Sequence, residues 1–296
     1  AIENASTTAP ELIVAGAGSG KTSLMAVRVP WLVANRIAKP EEILGLTFTR
    51  KAAAELAKRV HESLIALRDH GQFWPADLPA DFTPPNVSTY NSYANSLFRD
   101  FALQLGQDAD AIQLTEATQY QFAKQMLHSR GAKVASDLLD EDFSADDLIE
   151  KVVSLAQSMN ENLVSAEQIT AELAKVHETI AALPKKAGDV SGEKNAYINE
   201  LLQTLKRTEL IARLAADFNA QKLQEGRIDY SDQVVLAERA VRELKEVKAR
   251  EQLRYKQVLL DEYQDTSFLQ TRLLSGLFFD HAVLAVGDPN QSIYGW

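Results

Sequence analysis

The 296-residue sequence contains no cysteine. This absence excludes disulfide bonds, thiolate catalysis and metal sites built from cysteine thiolates. No apolar run approaches the roughly 20 residues that a transmembrane helix needs, and the N-terminus lacks the basic-then-apolar pattern of an export signal. The five histidines show none of the tight spacings typical of a metal site. We therefore expect a cytoplasmic protein without a cysteine-based or histidine-based metal centre.

Positive charge is also scarce. The chain has 31 lysines and arginines against 41 aspartates and glutamates, which gives a net charge of −10. This balance argues against a protein that coats nucleic acid by bulk charge, although it is compatible with a local basic groove. The apolar share of 46% is ordinary for a globular protein, and the length suffices for one large domain or two average ones.

The apolar pattern indicates how the chain is organised. Four short apolar segments predict buried strands of a parallel sheet, because each is followed by a turn or a helical pattern. Apolar residues at three- and four-residue steps predict a helix over 50–67. We predict an α/β domain formed by residues 1–106 and 209–296, with an inserted helical subdomain at 107–208 that contains a loop at 183–192. The predicted strands lie at 11–15, 43–48, 258–260 and 282–286.

Residues 12–22 read L-I-V-A-G-A-G-S-G-K-T, in which an apolar strand leads into a glycine-rich turn and then a helix. Glycines let backbone N–H groups close around a phosphate, and the helix N-terminus adds partial positive charge. In such a loop the lysine reaches the β- and γ-phosphates and the hydroxyl that follows it binds Mg²⁺. Ala15 replaces the first glycine of the general pattern. The sequence predicts an ATP-binding loop formed by Ala15, Gly16, Ala17, Gly18, Ser19, Gly20, Lys21 and Thr22.

A second segment, 258–266, reads V-L-L-D-E-Y-Q-D-T and ends an apolar strand in two adjacent acids. The carboxyl edge of an open α/β sheet is where ligands bind. We expect Asp261 to bind Mg²⁺ and Glu262 to orient and deprotonate an attacking water. A kinase, which transfers phosphate to a bound hydroxyl, has less need of that glutamate, so the pair favours hydrolysis. A phosphoryl-transfer enzyme and a nucleotide-gated binding module both stay open as alternatives.

Six segments together resemble one family, the UvrD/Rep/PcrA-type superfamily 1A DNA helicases. The resemblance implies a RecA-like parallel sheet flanked by helices, with an all-helical insertion. A helicase–nuclease subunit similar to RecB or AddA shares these motifs and is a further alternative. In chain order the segments are A-G-A-G-S-G-K-T (15–22), T-F-T-R-K-A-A-A-E-L (47–56), V-S-T-Y-N-S (87–92), D-Y-S-D (229–232), L-D-E-Y-Q-D-T (260–266) and V-G-D-P-N-Q-S-I-Y-G-W (286–296).

The resemblance assigns roles to residues of these motifs. It implies that Lys21, Glu262 and Gln291 are catalytic, with Gln291 sensing the γ-phosphate and coupling it to the DNA site. It implies that Thr22 and Asp261 are the Mg²⁺ ligands. Aromatic rings stack on unpaired bases and hydroxyls donate to phosphate oxygens in single-strand binding proteins. The implied DNA contacts are Thr47, Phe48, Thr49, Thr89, Tyr294 and Trp296.

All six DNA assignments have structural alternatives, although polar neighbours at a strand exit make a core role less favoured for Tyr294 and Trp296. Phe48 could close a strand as a core residue, and the three threonines could simply cap the helices that follow them.

The implied function is the ATP-binding motor portion of an ATP-dependent DNA helicase. Such an enzyme uses ATP and Mg²⁺, translocates on single-stranded DNA and unwinds duplex DNA, here in DNA repair or recombination. The expected partners are single-stranded DNA and duplex–single-strand junctions. The family's second motor domain, which carries arginines that reach the γ-phosphate, is expected C-terminal of Trp296, and nothing upstream of Glu11 supplies the family's adenine-reading glutamine motif. We therefore expect the chain by itself to hydrolyse ATP very slowly.

Overall fold

A computed structural model of the protein describes residues 2–3, 8–16, 18–129, 144–182 and 196–292. In chain order, the strands of this part are β1 (Glu11–Val14), β2 (Ile43–Thr47), β3 (Asn86–Thr89), β4 (Ile112–Gln113), β5 (Arg227–Ile228), β6 (Gln257–Leu260) and β7 (Val283–Gly287). The α-helices are α1 (Lys21–Ala34), α2 (Arg50–His70), α3 (Tyr90–Phe101), α4 (Glu116–Ser129), α5 (Ala145–Asn162), α6 (Ala166–Ala181), α7 (Ala196–Gln224), α8 (Tyr230–Glu243), α9 (Lys245–Arg254) and α10 (Phe268–Phe278).

The chain divides into two compact units. The first, called here the sheet unit, comprises Ala1–Leu105 and Leu236–Trp296, and the second, the helical unit, comprises Gly106–Val235. Among the described helices none is long and apolar enough to cross a lipid bilayer.

The sheet unit contains a five-stranded sheet in the order β1-β7-β6-β2-β3, and every neighbouring pair is parallel. All five carboxyl ends therefore meet at one edge, where the loops that follow them collect. The central strands β2 and β6 are buried along their whole length, which is typical of a parallel sheet covered by helices on both faces. The predicted α/β fold class, a parallel sheet flanked by helices, is confirmed.

Two strands differ from the sequence prediction. β3 was not predicted, because its N-V-S-T sequence has one apolar residue and follows a proline-rich stretch; its pairing with β2 supplies the stability that its composition lacks. β1 was predicted as buried, but it lies at an edge of the sheet. Its side chains alternate in exposure, with Leu12 57% and Val14 62% exposed, because successive side chains point to opposite faces of the sheet and the face of Leu12 and Val14 is left open at this edge.

Helices α1 and α2 cover the sheet through a shared apolar core. The repeat predicted over 50–67 is realised in α2, where Ala53, Leu56, Val60 and Leu64 are buried. Thr49 caps the first turn of this helix, and Gly71 ends it with a φ of 67°, a conformation that glycine adopts without a steric penalty. These helices hold the loop before α1 and the loop before α2 in place at the carboxyl edge of the sheet.

The helical unit packs α4, α5 and α7 around its own core, which contains Phe122, Leu148, Val152 and Phe218. Helix α7 continues past residue 208, where the sequence predicts that the helical subdomain ends, because its buried apolar positions continue to Phe218. The unit extends to Val235 and includes the short parallel pair β4–β5, which the helical pattern of the sequence gave no sign of. The loop expected at 183–192 lies outside the described residues.

Candidate nucleotide-binding site

The glycine-rich loop lies between β1 and α1, as the sequence predicts. Gly18 and Gly20 have φ values of 72° and 87°, and a β-carbon on either would meet no other atom within 4 Å. Glycine is therefore required there for backbone conformation rather than for space. The Ser19 hydroxyl donates to the Gly16 carbonyl at 2.7 Å and closes the turn. Of the eight predicted loop residues, Ala17 lies outside the described part of the chain.

Lys21 is the first residue of α1, so its ammonium is held at a helix N-terminus. Nζ lies 3.3 Å from Glu262 Oε2, and the side chain is 8% exposed. Apart from this ion pair, the ammonium makes no hydrogen bond with any described residue. A buried ammonium normally fills its three donor positions, because an unsatisfied buried donor is costly. Lys21 thus has donor positions left for an anionic group.

Asp261 and Glu262 follow β6 directly, and the chain places them in different environments. Asp261 is 2% exposed, and its backbone N–H donates to the Leu46 carbonyl at 2.8 Å, while Glu262 is 35% exposed. Burial, followed by the neighbouring Glu262 charge, raises the pKa of Asp261 to about 6. Removing these charges from water disfavours the ionised carboxylate, and a bound cation would reverse this effect.

Glu262 has a left-handed backbone conformation with φ of 49° and ψ of 43°. For a residue with a β-carbon this conformation costs on the order of 1 kcal/mol, and such strain is common at functional sites. The conformation starts the short 3₁₀ turn Tyr263–Asp265 and turns the chain sharply after Asp261. This turn explains how two adjacent acids reach different degrees of burial.

The oxygen donors around Lys21 suit Mg²⁺. Among the described residues, the Asp261 carboxylate accepts an N–H bond at one oxygen, from Glu262 at 3.1 Å, and Thr22 follows Lys21 on α1. No group of three or more histidine, aspartate or glutamate side chains that could hold a metal occurs among the described residues. Mg²⁺ usually takes one or two carboxylates and completes its shell with water and substrate phosphates. The residues therefore fit a cation that arrives with a nucleotide.

The turn that carries Gln291 lies beside the glycine-rich loop. Strand β7 pairs with β1, and the Ala15 N–H donates to the Gly287 carbonyl at 3.0 Å. In the 3₁₀ turn Pro289–Gln291, the Gln291 amide donates to the Asp288 carboxylate. The N–H of Asn290 and this amide hold the pKa of Asp288 below its ordinary value. The structure thus brings Lys21, Asp261, Glu262 and the Gln291 turn to one edge.

One residue at this edge was not singled out from the sequence. Gln264 donates from Nε2 to Glu262 Oε2 at 2.7 Å, and its Oε1 accepts the Asp288 N–H at 3.0 Å. The available signal was its position inside L-D-E-Y-Q-D-T, two residues after the predicted base. Because a glutamine has no ionisable group, a pattern of paired acids does not indicate it.

The residues assigned to DNA follow β2 and β3. Thr49 accepts from the Ala52 N–H and Thr89 from the Ser92 N–H, both at 3.1 Å, so each caps a helix. Phe48 is half-buried. Thr47 is 0% exposed, and its buried hydroxyl has no hydrogen-bond partner among the described residues. A direct contact of Thr47 with DNA conflicts with this burial, because β2 is covered on both faces. Tyr294 and Trp296 lie outside the described part.

Comparisons with known proteins place this geometry in context. The model of one protein family, described as the UvrD/REP helicase N-terminal domain, matches residues 1–296. The ATP-dependent DNA helicase PcrA of Bacillus subtilis is 25% identical over 291 residues, which is 98% of this chain and 32% of the relative. A probable DNA helicase II homologue of Rickettsia felis is 27% identical, covering 98% and 36%. DNA helicase II of Haemophilus influenzae is 26% identical, covering 96% and 32%. The chain spans about a third of the length of these relatives.

Proposed function

Since the chain belongs to the UvrD/REP helicase N-terminal domain family, we propose that it is the ATP-binding motor portion of an ATP-dependent DNA helicase. The relatives named above are DNA helicases, and the match extends over almost the whole of this chain. Because the chain covers about a third of their length, unwinding, translocation on single-stranded DNA and a second motor domain all belong to this proposal. A role in DNA repair or recombination is part of it as well.

The observation that carries the proposal is the Lys21 ammonium, which is buried against Glu262 and has donor positions left over. The γ-phosphate of ATP would fill those positions. Lys21 is accompanied by the carboxylates of Asp261, Glu262 and Asp288, so the site is acidic overall. An ATP anion would be repelled there unless a divalent cation came with it. This charge balance supports Mg²⁺·ATP rather than free ATP as the ligand.

In the proposed reaction Glu262 takes a proton from water as the water oxygen attacks the γ-phosphorus. The bond between that phosphorus and the β–γ bridging oxygen breaks, which leaves ADP and inorganic phosphate. Asp261 and Thr22 would hold a Mg²⁺ ion, whose charge would neutralise the phosphate oxygens. Lys21 stabilises charge on the β- and γ-phosphates. The strained backbone of Glu262 fixes the direction from which its partly exposed carboxylate can reach a water.

We also propose that single-stranded DNA contacts the carboxyl edge near Phe48, Thr49 and Thr89, with Tyr294 and Trp296 as stacking aromatics. Thr47 is left out, since its hydroxyl is buried. Both capping threonines lie at the first turn of a helix, where backbone N–H groups have no intrahelical partner and suit a DNA phosphate. A net charge of −10 gives no long-range attraction to DNA, so these local contacts would have to hold it.

Two measurements test the proposal. ATP hydrolysis is followed under single-turnover conditions, with and without a single-stranded oligonucleotide, in the protein and in Glu262→Gln; binding of a fluorescent ATP analogue is titrated in both. We expect Mg²⁺-dependent binding in both proteins and hydrolysis that is much slower in the variant. The rate in the chain alone should be low, because an arginine from a second domain typically contributes about 10³–10⁵ in rate. Absence of Mg²⁺-dependent binding would overturn the nucleotide site.

DNA is the second part of that test. Oligonucleotide binding that is lost in Phe48→Ala but retained in Phe73→Ala would support the proposed DNA edge. Phe73 is a control because it is 60% exposed on the loop after α2. Base stacking contributes about 1–3 kcal/mol per base, so the loss should be about 5- to 150-fold in affinity. Equal binding by both variants would contradict the assignment of Phe48.

A further inference from the structure

Gln264 is hydrogen-bonded at both ends of its side chain. Its Nε2 donates to Glu262 Oε2 at 2.7 Å and to Asp265 Oδ2 at 3.2 Å. Its Oε1 accepts the backbone N–H of Asp288 at 3.0 Å. An amide is the side chain that supplies two donors and an acceptor from one planar group without carrying charge. A carboxylate at position 264 could accept the Asp288 N–H, but it could not donate to Glu262 and would repel it.

The hydrogen bonds continue from Gln264 to the turn that carries Gln291. Asp288 accepts from the Asn290 N–H at 3.0 Å and from the Gln291 amide. The Ser292 hydroxyl also donates to the backbone carbonyl of Gln264 at 3.3 Å. The carboxylate of Glu262 and the side chain of Gln291 are therefore linked through two intermediate residues, Gln264 and Asp288.

Gly287 provides the space in which the amide lies. A β-carbon at position 287 would be 2.5 Å from Gln264 Oε1 and 3.2 Å from the Gln264 backbone N. The first distance is shorter than van der Waals contact allows, so a methyl group would force the carboxamide away from the Asp288 N–H. Gly287 does not have a positive φ, so its role is to permit this close approach.

We propose that Gln264 is a positioning residue that holds the Glu262 carboxylate in place for water activation and ties that position to the Gln291 turn. The inference rests on the proposed function, because it concerns the base of the proposed hydrolysis. Movement of the Gln291 turn would be transmitted through Asp288 to the Gln264 amide and from there to Glu262. The coupling between the nucleotide and the end of β7 thus passes through a neutral amide rather than through an ion pair.

The test compares Gln264→Ala, Gln264→Glu and Gly287→Ala with the double variant Gly287→Ala/Gln264→Ala. Single-turnover ATP hydrolysis and the affinity for a fluorescent ATP analogue are measured for each. Misplacement of a catalytic group by about 1 Å can cost about 10²-fold in rate, so we expect 10- to 100-fold slower hydrolysis in each single variant, with affinity changed less than about threefold. In the double variant, Gly287→Ala should add little, since the carboxamide it displaces is gone.

Two matched variants control for general effects. Gln252 also donates through Nε2 to two acceptors, the Leu277 carbonyl and Asp280, so Gln252→Ala removes a similar pair of bonds elsewhere in the sheet unit. In Gly276→Ala, the added methyl would meet the Val241 side chain at 3.0 Å, which is a milder steric load on α10 than the 2.5 Å contact at Gly287. Both controls should hydrolyse ATP within about twofold of the unmodified protein.

A structural readout complements the rates. The backbone N–H of Asp288 should lose protection from hydrogen exchange in Gln264→Ala and in Gly287→Ala, and the folded state should otherwise be retained. Unchanged hydrolysis in Gln264→Ala, or losses that multiply in the double variant, would overturn the positioning role. Glu262→Gln separates the proposed base from the proposed positioning role. If Glu262→Gln is slow and the Gln264 and Gly287 variants are not, the positioning role fails. If Glu262→Gln hydrolyses ATP normally, the proposed base itself is wrong.

Discussion

In the described part of the chain, two lysines have ammonium groups buried beside acids, one in each unit, and they differ in how completely they are paired. Lys222 in the helical unit is 0% exposed and contacts both Asp229 and Asp232, the latter at 2.7 Å. Lys21 in the sheet unit contacts one oxygen of one partly exposed glutamate, and its other donors have no partner in the described part of the chain. The ammonium of Lys222 is paired within the protein, whereas the ammonium of Lys21 has donor positions left for a ligand.

The acids around the two lysines differ in the same way. Asp229 also accepts from the Ser231 hydroxyl at 2.7 Å, and Asp232 accepts from the Asp229 N–H at 2.8 Å and from Asn160 at 2.9 Å. Lys222, Asp229 and Asp232 do not have a positive φ, whereas Glu262 beside Lys21 has a left-handed conformation. A lysine next to two acids is thus not enough to indicate a catalytic site. Unfilled donors, together with the left-handed conformation of Glu262, distinguish the candidate site from this structural cluster.

The largest effect is expected on the rate of ATP hydrolysis when Glu262, the proposed base, is substituted. Glu262→Gln keeps the size of the side chain but removes its basicity, so ATP hydrolysis should fall by about 10²–10⁴ while nucleotide binding persists. Glu172→Gln is the matched control, because Glu172 is 70% exposed and paired with Lys175 on a helix surface. Single-turnover rates measure both. Normal hydrolysis by Glu262→Gln would contradict the proposed role of Glu262 as the base, and with it the functional difference between the two lysine sites.

The next effect concerns stability. Lys222→Met leaves Asp229 and Asp232 buried without a cation, so the free energy of unfolding should fall by about 3–5 kcal/mol. Lys21→Met removes a similarly buried ammonium from beside one partly exposed carboxylate and should cost less than about 1 kcal/mol. Urea unfolding followed by circular dichroism measures the difference. Equal losses from the two substitutions would show that the two lysines do not differ in this respect.

For nucleotide affinity, unlike for stability, Lys21 is the lysine whose substitution should matter. Lys21→Ala removes the cation that faces the phosphates, so the affinity for an ATP analogue should drop several-fold to about a hundredfold, or roughly 1–3 kcal/mol. Lys58→Ala is the control, since Lys58 is 75% exposed on α2. A fluorescence titration compares the two variants. An unchanged dissociation constant for Lys21→Ala would reject the assignment of the glycine-rich loop.

The smallest effect is a pH dependence in the helical unit. Burial raises the pKa of Asp232 to about 6, so between pH 4 and pH 6 the folded protein holds a proton that the unfolded chain has released. This contribution to stability is present at low pH and is lost as the pH rises through 6. Asp232→Asn mimics the protonated acid, so its stability relative to the unmodified protein should improve by about 1–2 kcal/mol from pH 4 to pH 7. A difference that stays constant with pH would contradict the burial argument.

Much of the sheet unit could be predicted from local pattern. The four apolar strands and helix α2 follow from continuous or three- and four-residue apolar spacing, which reflects burial within one element. β3 could not be predicted in this way, because its stability comes from pairing with β2 rather than from its own side chains. The exposure of β1 could not be predicted either, since it depends on the order of strands in the sheet.

The sequence by itself determined the chemical groups of the candidate site: a glycine-rich loop with Lys21 and Thr22, an acid pair after a strand, and the family that these motifs indicate. Their chemistry is contained in short segments whose backbone conformation is local. The tertiary structure decided which groups meet. Parallel strands bring Lys21 to Glu262 at one edge, although more than 200 positions separate them, and they also bring Gln264 to the end of the neighbouring strand β7. It also decided that Thr47 is buried, because its burial depends on strands distant in the chain, and that Lys222 is neutralised by Asp229 and Asp232, which lie beyond the end of α7.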